Sequence, residues 1–308
     1  MKLLVTGGAG FIGSNIVDAA ILSGYKVAVV DDLSTGYREN LHPAAVFYHV
    51  DINSPQMREV FEKERPDCIA HHAAQMDVRH SVADPANDAN INILGSIRLL
   101  QLAAEFKVKK LLFASTGGAI YGEQEVYPAP ENHPCNPVSP YGISKLTVEK
   151  YLYFYYLNYG LGYTCLRYAN VYGPRQNPHG EAGVVAIFCQ KMLGGGQPLI
   201  FGDGKQTRDY VYVEDVVSAN LAALKSDYNG VLNIGTARET DVNQIFQTVK
   251  KFTGSACSQT HAPAKPGEQR RSVIDPGKAK EILNWQPQIV LEEGLQKTVE
   301  FFKKKRLV

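Results

Sequence analysis

An α/β fold, with a doubly wound parallel sheet and a second, smaller C-terminal lobe, follows from three features of this 308-residue chain. Short apolar runs recur with helical patterns between them. A glycine-spaced turn joins the first run to the first helix. Beyond residue 170 that rhythm gives way to Gly- and Pro-rich pieces. Alternating strands and helices make a parallel sheet with helices on both faces, and ligands of such sheets sit beyond the carboxyl ends of the strands.

The first run, Leu3, Leu4 and Val5, stops in KLLVTGGAGFIG, where Gly7 precedes the spaced Gly8, Gly10 and Gly13. Glycines there allow a tight turn and a close backbone approach to a pyrophosphate, and the helix that follows offers free N–H groups. The second strand, Lys26 to Val30, ends in Asp31. An acid about 20 residues after the turn suits an adenosine ribose. A glycine turn alone is weak, but strand, turn, helix and acid together predict a Rossmann-type dinucleotide site.

Further strands are expected at Val46 to Val50, Cys68 to His71, Lys110 to Ala114 and Tyr163 to Leu166. Helices are expected from Ser54-Pro55, over Asn87 to Phe106, and over Ser144 to Tyr159. The strand ends are Asp31, Asp51, His71-His72, Ser115 and Tyr168 to Asn170. After them come short strands at Leu199 to Phe201 and Tyr210 to Val213, then helix and strand again over Val213 to Leu224 and Val231 to Ile234. Residues 1–170 therefore read as the dinucleotide-binding domain, with 213–237 returning to it, and 171–212 and 238–308 as a substrate-binding lobe.

A net charge of +1 gives no electrostatic reason to expect nucleic acid or an anionic membrane as partner. Cys68, Cys135, Cys165, Cys189 and Cys257 are scattered and odd in number, without a CxxC, so free thiols are expected and a disulfide framework or zinc site is not. No apolar stretch approaches membrane-spanning length. A cytoplasmic protein is expected. His71 and His72 lack a third ligand at suitable spacing, so no metal is expected, and both read as backbone-satisfied residues lining the cleft. Lys303 to Arg306 reads as a solvated helix end.

Tyr141-Gly-Ile-Ser-Lys145 puts a phenol and an ammonium four residues apart on one helical face. A neighbouring cation together with a positive nicotinamide lowers a phenol from its usual pKa near 10, which makes Tyr141 a candidate general base. Ser115 and Thr116, at the end of a strand, add hydroxyls to the same cleft.

These residues resemble the extended short-chain dehydrogenase/reductases acting on nucleotide sugars, and within them the UDP-glucose 4-epimerases. The likeness is carried by TGGAGFIGS at Thr6 to Ser14, DDLSTG at Asp31 to Gly36, His72-Ala73-Ala74, and STGGAIYG at Ser115 to Gly122. It continues through Tyr141 and Lys145, RYANVYGPRQ at Arg167 to Gln176, Thr207 to Tyr210, and LNWQP near Trp285. It implies reversible interconversion of UDP-glucose and UDP-galactose at C4, through a transient 4-keto sugar with tightly bound NAD.

By the same resemblance Gly7, Gly10, Phe11, Ile12, Gly13, Asp31, Asp32, Leu33, Ser34, Thr35, Gly36, Asp51, Ile52, Ala73, Ala74, Gln75, Asn92, Ser115, Tyr141 and Lys145 hold NAD. Tyr141, Lys145 and Thr116 are the implied catalytic residues. Thr116, Tyr141, Asn170, Val184, Val185, Leu199, Ile200, Phe201, Arg208, Lys265, Glu268 and Ser272 face the UDP-sugar. Arg208 suits a diphosphate, since a guanidinium is planar and fork-shaped. Lys265 stands where many relatives carry arginine. The hydroxyl that usually meets the sugar falls on Gly117, so Thr116 is expected to supply it, and a small Ser272 is expected to leave room for an N-acetyl group. A homodimer paired through the helices around Asn87 to Phe106 and Ser144 to Tyr159 is implied as well. The rival readings are a 4,6-dehydratase, which needs carboxylates where this chain has Gly117-Gly118-Ala119, and a non-catalytic NAD sensor, which has no use for Tyr141 with Lys145.

Overall fold

A computed structural model describes residues 1–179, 183–264 and 269–306. In chain order it runs β1 (Lys2–Thr6), α1 (Phe11–Leu22), β2 (Lys26–Asp31), β3 (Val46–His49), α2 (Met57–Glu64), β4 (Cys68–His71), α3 (Val78–Ala83) and α4 (Pro85–Ala89). A π-helical turn, Asn90–Leu94, leads into α5 (Gly95–Glu105). Then follow β5 (Lys110–Thr116), α6 (Pro140–Tyr159), β6 (Gly162–Tyr168), β7 (Asn170–Tyr172), α7 (Val184–Leu193), β8 (Leu199–Phe201), β9 (Thr207–Tyr212), α8 (Val213–Lys225) and β10 (Gly230–Ile234). The chain closes with β11 (Glu239–Asp241), α9 (Val242–Thr253), β12 (Thr260–Ala262), β13 (Arg271–Ser272), α10 (Gly277–Leu283) and α11 (Leu291–Arg306).

Seven parallel strands form one sheet in the order β10-β6-β5-β4-β1-β2-β3, the doubly wound order of dinucleotide-binding folds. Burial on both faces explains the uninterrupted apolar strands. Leu3 and Val5 pack with Val17 of α1 and Val216 of α8, while Leu4 packs with Phe61 of α2, Leu99 of α5 and Val148 of α6. A separate apolar cluster joins α7, α9 and α11 through Phe188, Phe246 and Leu295. Beside it lie a four-stranded sheet in which β7, β11 and β13 all pair with β9, and the two-stranded β8–β12 pair.

Three helix boundaries differ from expectation. Ser54 and Pro55 lie in turns before α2, which starts at Met57. The expected helix over Asn87 to Phe106 is instead α4, the π-helical turn and α5, and that turn carries Asn92 inward. α6 starts at Pro140 rather than Ser144, because Ser139 Oγ accepts a hydrogen bond from Gly142 N at 3.2 Å and Pro140 occupies the first turn. Tyr141 is therefore already helical.

Beneath the carboxyl end of β5 lies a buried polar network. Arg167 of β6 donates to Glu149 of α6 through Nε (2.9 Å) and Nη2 (2.6 Å), and Ser115 Oγ donates to the same carboxylate at 2.6 Å. Arg167 Nη1 reaches the Tyr121 hydroxyl at 3.0 Å, which donates to Asn233 Oδ1 of β10 at 2.7 Å. Removing one charge strands the other out of water. Glu149→Gln is expected to lower the unfolding free energy by about 3–5 kcal/mol, measured by denaturant titration; a loss under about 1 kcal/mol would show that the pair does not hold α6 to the sheet.

Candidate active site

The glycine turn is dictated by close packing. Gly7 has φ +70°, and a Cβ on it would lie 2.6 Å from Ala73 N; a Cβ on Gly13 would lie 2.2 Å from the Gly7 carbonyl. Gly10 caps α1 with no side-chain hydrogen bond, so the first-turn N–H groups are left for an anion. Asp31 is buried against this turn, its Oδ2 accepting from Ala9 N and its Oδ1 from Leu33 N, both at 2.9 Å. Burial pushes its pKa up despite those bonds. Gly36 folds back on it, since a Cβ there would come within 2.9 Å of Asp31 Oδ1. Asp32 holds Ser34 through its hydroxyl (2.6 Å) and amide (3.0 Å), and Ser34 and Thr35 are exposed. Phe11, Ile12, Ala73, Ala74 and Gln75 are half-buried, Asp51 is exposed, and the Ile52 side chain belongs to the core. An uncapped helix start beside a buried acid, with no room for side chains between them, fits a dinucleotide.

At the other end of the cleft, Lys145 is 3% exposed and its Nζ donates to the Ala114 carbonyl of β5 at 3.0 Å. The ammonium lies 4.8 Å from the Phe113 ring centroid and 5.7 Å from that of Tyr141. Burial pushes Lys145 down to about 8, opposed by the negative charge of Asp88. Tyr141 is half-buried and goes the other way: burial first, and Asp88 second, push its pKa up. The expected lowering of the phenol rests on Lys145 together with a positive nicotinamide; in the protein by itself burial sets the direction. The amide of Tyr141 donates to Ser81 Oγ of α3 at 3.2 Å.

Thr116 ends β5, its Oγ1 accepting from Ala119 N at 3.2 Å. A Cβ on Gly117 would meet Ile274 Cδ1 at 2.7 Å, so a serine does not fit there without displacing Ile274. A Cβ on Gly118 would instead sit 3.9 Å from Thr116 Oγ1 and 3.7 Å from Asn170 Oδ1. Thr116 and Asn170 therefore border one small space above Gly118.

Several side chains predicted to face ligands are turned elsewhere. Ser115 bonds Glu149 in the network beneath β5. Asn92 is buried and ties down a loop: its Oδ1 accepts from Gln75 N at 3.0 Å, and its Nδ2 donates to Gln75 O at 2.8 Å and Asp88 Oδ1 at 2.9 Å. Val185 and Ile200 belong to the core of the lobe, leaving half-buried Val184 and exposed Leu199 and Phe201 as the accessible members of their segments. Ser272 is buried in β13 opposite Arg208 of β9, not open to the cleft as a free wall. Arg208 is half-buried, with Nη1 donating to Thr207 O at 2.8 Å. Lys265 and Glu268 lie outside the described residues.

His71 is satisfied by hydroxyls rather than backbone, with Thr6 Oγ1 at 2.7 Å and Ser96 Oγ at 2.9 Å, and burial pushes it down to about 3. His72 Nε2 lies 3.1 Å from the Tyr168 hydroxyl, and burial pushes it down to about 4. The five cysteines are free thiols. Among the described residues no group of His, Cys, Asp or Glu could hold a metal ion, and no helix is long and apolar enough to cross a membrane. Asp88 and Ser144, which join behind the Tyr141–Lys145 pair at 2.6 Å, escaped the sequence reading. The available signal was Asp88 standing four residues before Asn92, one helical turn away.

Residues 3–235 match the model of the NAD dependent epimerase/dehydratase family. The crystal structure of a UDP-glucose 4-epimerase with UDP-glucose from Thermotoga maritima superposes with a TM-score of 0.97 at 53% identity, covering 99% of this chain and 100% of that one. A UDP-glucose 4-epimerase complex with NAD from Thermus thermophilus gives 0.94 at 44% identity, covering 98% and 99%. The UDP-glucose 4-epimerase of Mycolicibacterium smegmatis is 44% identical over 99% of both chains. With its strand order, glycine turn and Tyr141–Lys145 pair, the chain belongs to the NAD dependent epimerase/dehydratase family.

Proposed function

We propose that this protein interconverts UDP-glucose and UDP-galactose by inverting C4 of the sugar, with NAD held as a catalytic group that is regenerated in each turnover. The observation that carries the reading is the pairing of Tyr141 with a buried Lys145 on α6, the Lys145 ammonium being bonded to β5, the strand that Thr116 ends. NAD would rest on the glycine turn, the uncapped start of α1 and Asp31, and when bound it accepts and returns the C4 hydrogen. Tyr141 takes the proton of the sugar 4-hydroxyl and gives it back. Lys145 and the positive charge of the oxidised nicotinamide lower the phenol that burial alone holds high. Thr116 presents a hydroxyl to the sugar, and Arg208 faces the diphosphate. The sugar of the keto intermediate turns over while its nucleotide stays anchored in the lobe.

Dehydration is disfavoured, because no carboxylate occupies 117–119 and Ile274 fills the space beside Gly117. A second copy of the chain would cover the outer face of α6, where Tyr153, Phe154, Leu157 and Tyr159 are exposed.

Incubating the purified protein with UDP-galactose and no added NAD is expected to give UDP-glucose, followed by a coupled dehydrogenase; no conversion even after NAD is supplied would refute the proposal. Tyr141→Phe should keep its bound cofactor, assayed by release and absorbance, while kcat falls by at least the 10²–10⁴-fold typical of general-base loss, roughly. Turnover near the wild-type rate would remove Tyr141 from the chemistry. Asp31 is followed by Asp32 and by no basic residue directly after, and a carboxylate at the ribose repels a 2′-phosphate. Protein stripped of cofactor should therefore regain activity with NAD, and equal reactivation by NADP would contradict that role.

A further inference from the structure

A buried carboxylate behind the Tyr141–Lys145 pair takes no part in the reaction proposed above. Asp88 of α4 is 0% exposed. Three donors converge on it: Asn92 Nδ2 at 2.9 Å and Gln75 Nε2 at 3.0 Å on Oδ1, and Ser144 Oγ at 2.6 Å on Oδ2. A carboxylate, with two oxygens and no hydrogens, can accept from all three. Through these bonds one side chain joins the π-helical turn, the loop after β4 and the first turns of α6. Asn92 doubles the link to that loop with its two bonds to the Gln75 backbone.

Next to Ser144 stands Lys145, whose buried ammonium donates to a single neutral partner, the Ala114 carbonyl. A buried charge needs both hydrogen bonds and a counter-charge. The groups that face it are few. From β5 come the Phe113 ring and Ala114. From the end of β4 and the residue after it come His71 and His72, both held neutral by burial. From α6 comes the Tyr141 phenol. From α4 comes Asp88, the one carboxylate among the described residues acting on Lys145.

We propose that Asp88 is a positioning residue for the Tyr141–Lys145 pair, fixing the start of α6 against the loop after β4 and balancing the buried Lys145 ammonium. It touches neither sugar nor cofactor; it acts through Ser144, Asn92 and Lys145. The kinetic part of this inference rests on the epimerase reading. The electrostatic part does not.

The sign of the effect follows from charge. Asp88 favours the protonated form of both Lys145 and Tyr141, so Asp88→Asn lowers the pH at which each loses its proton. The test is an NMR titration of protein labelled with ¹³Cε-lysine, the Lys145 signal being identified by its loss in Lys145→Arg. The pH profile of kcat for UDP-galactose is measured alongside. In Asp88→Asn the Lys145 midpoint and both limbs of the kcat profile are expected to move to lower pH. On the alkaline limb, at a fixed pH, kcat should fall by up to about tenfold per pH unit of that shift, with KM changed far less. An unmoved Lys145 titration and an unmoved pH profile, with only a lower melting temperature, would overturn the proposal and leave Asp88 a packing residue. If Asp88→Asn does not fold, the double variant Asp88→Asn/Gln75→Glu puts a carboxylate one hydrogen bond away. That variant is expected to fold and to bring the Lys145 midpoint back toward wild type; failure on either count overturns the proposal. A wild type that does not epimerise UDP-galactose would instead refute the reaction, while the lysine titration still decides the role of Asp88.

Discussion

The hydrogen bond from the Lys145 ammonium to the Ala114 carbonyl is the contact on which the Tyr141–Lys145 end of the cleft depends. It seats the first turns of α6 on the carboxyl end of β5, in a place almost sealed from water. A buried cation is costly to maintain, and the surroundings of α6 answer that cost at three levels. Asp88 supplies a counter-charge, Phe113 offers its ring face, and the Arg167–Glu149 pair clamps the same helix to β6 one turn further on. Because these contacts involve four different elements, the phenol of Tyr141 is held by the fold and not by its own loop. Rigid support of this kind is what proton transfer to a substrate hydroxyl demands.

The nucleotide end of the cleft is governed by a different constraint, the absence of side chains. Gly7 and Gly13 are packed against the Ala73 amide and against each other's backbone so closely that a methyl group has no place. What remains is a surface of backbone N–H groups facing a buried acid. The two ends share the segment after β4: His72 and Ala73 pack on Gly7, and Gln75 is tied through Asn92 and Asp88 to Ser144 of α6. The glycine turn and the Tyr141–Lys145 pair are thereby linked through one short segment, residues 71–77.

Much of this was legible in the sequence because it rests on period and spacing. Continuous apolar runs gave the parallel strands, the glycine spacing marked the first turn, and the four-residue step from Tyr141 to Lys145 put both on one helical face. What was hidden depends on direction and on long-range partners. Ser115 and Asn92 have the chemistry of ligand contacts, yet the fold turns them to Glu149 and Gln75. Asp88 lies in an Asp-Pro-Ala-Asn-Asp segment that reads as helix-capping polarity, and only the packing of α4 on α6 shows it to be fully buried. Gly117 looks like a missing hydroxyl until Ile274, 157 residues later, is seen to fill its place. The π-helical turn that swings Asn92 inward has no local sequence mark at all, since tertiary contacts decide it.

The most direct test of the account is the fate of the hydrogen on C4. UDP-galactose carrying deuterium at C4 should give UDP-glucose with the deuterium still at C4, read by mass spectrometry and proton NMR, because the same hydrogen leaves and returns within one closed site. Replacement of that deuterium by hydrogen from water during turnover would contradict the account, since it would mean that C4 is inverted by proton exchange and that Tyr141, Lys145 and the dinucleotide seat do not work together as described.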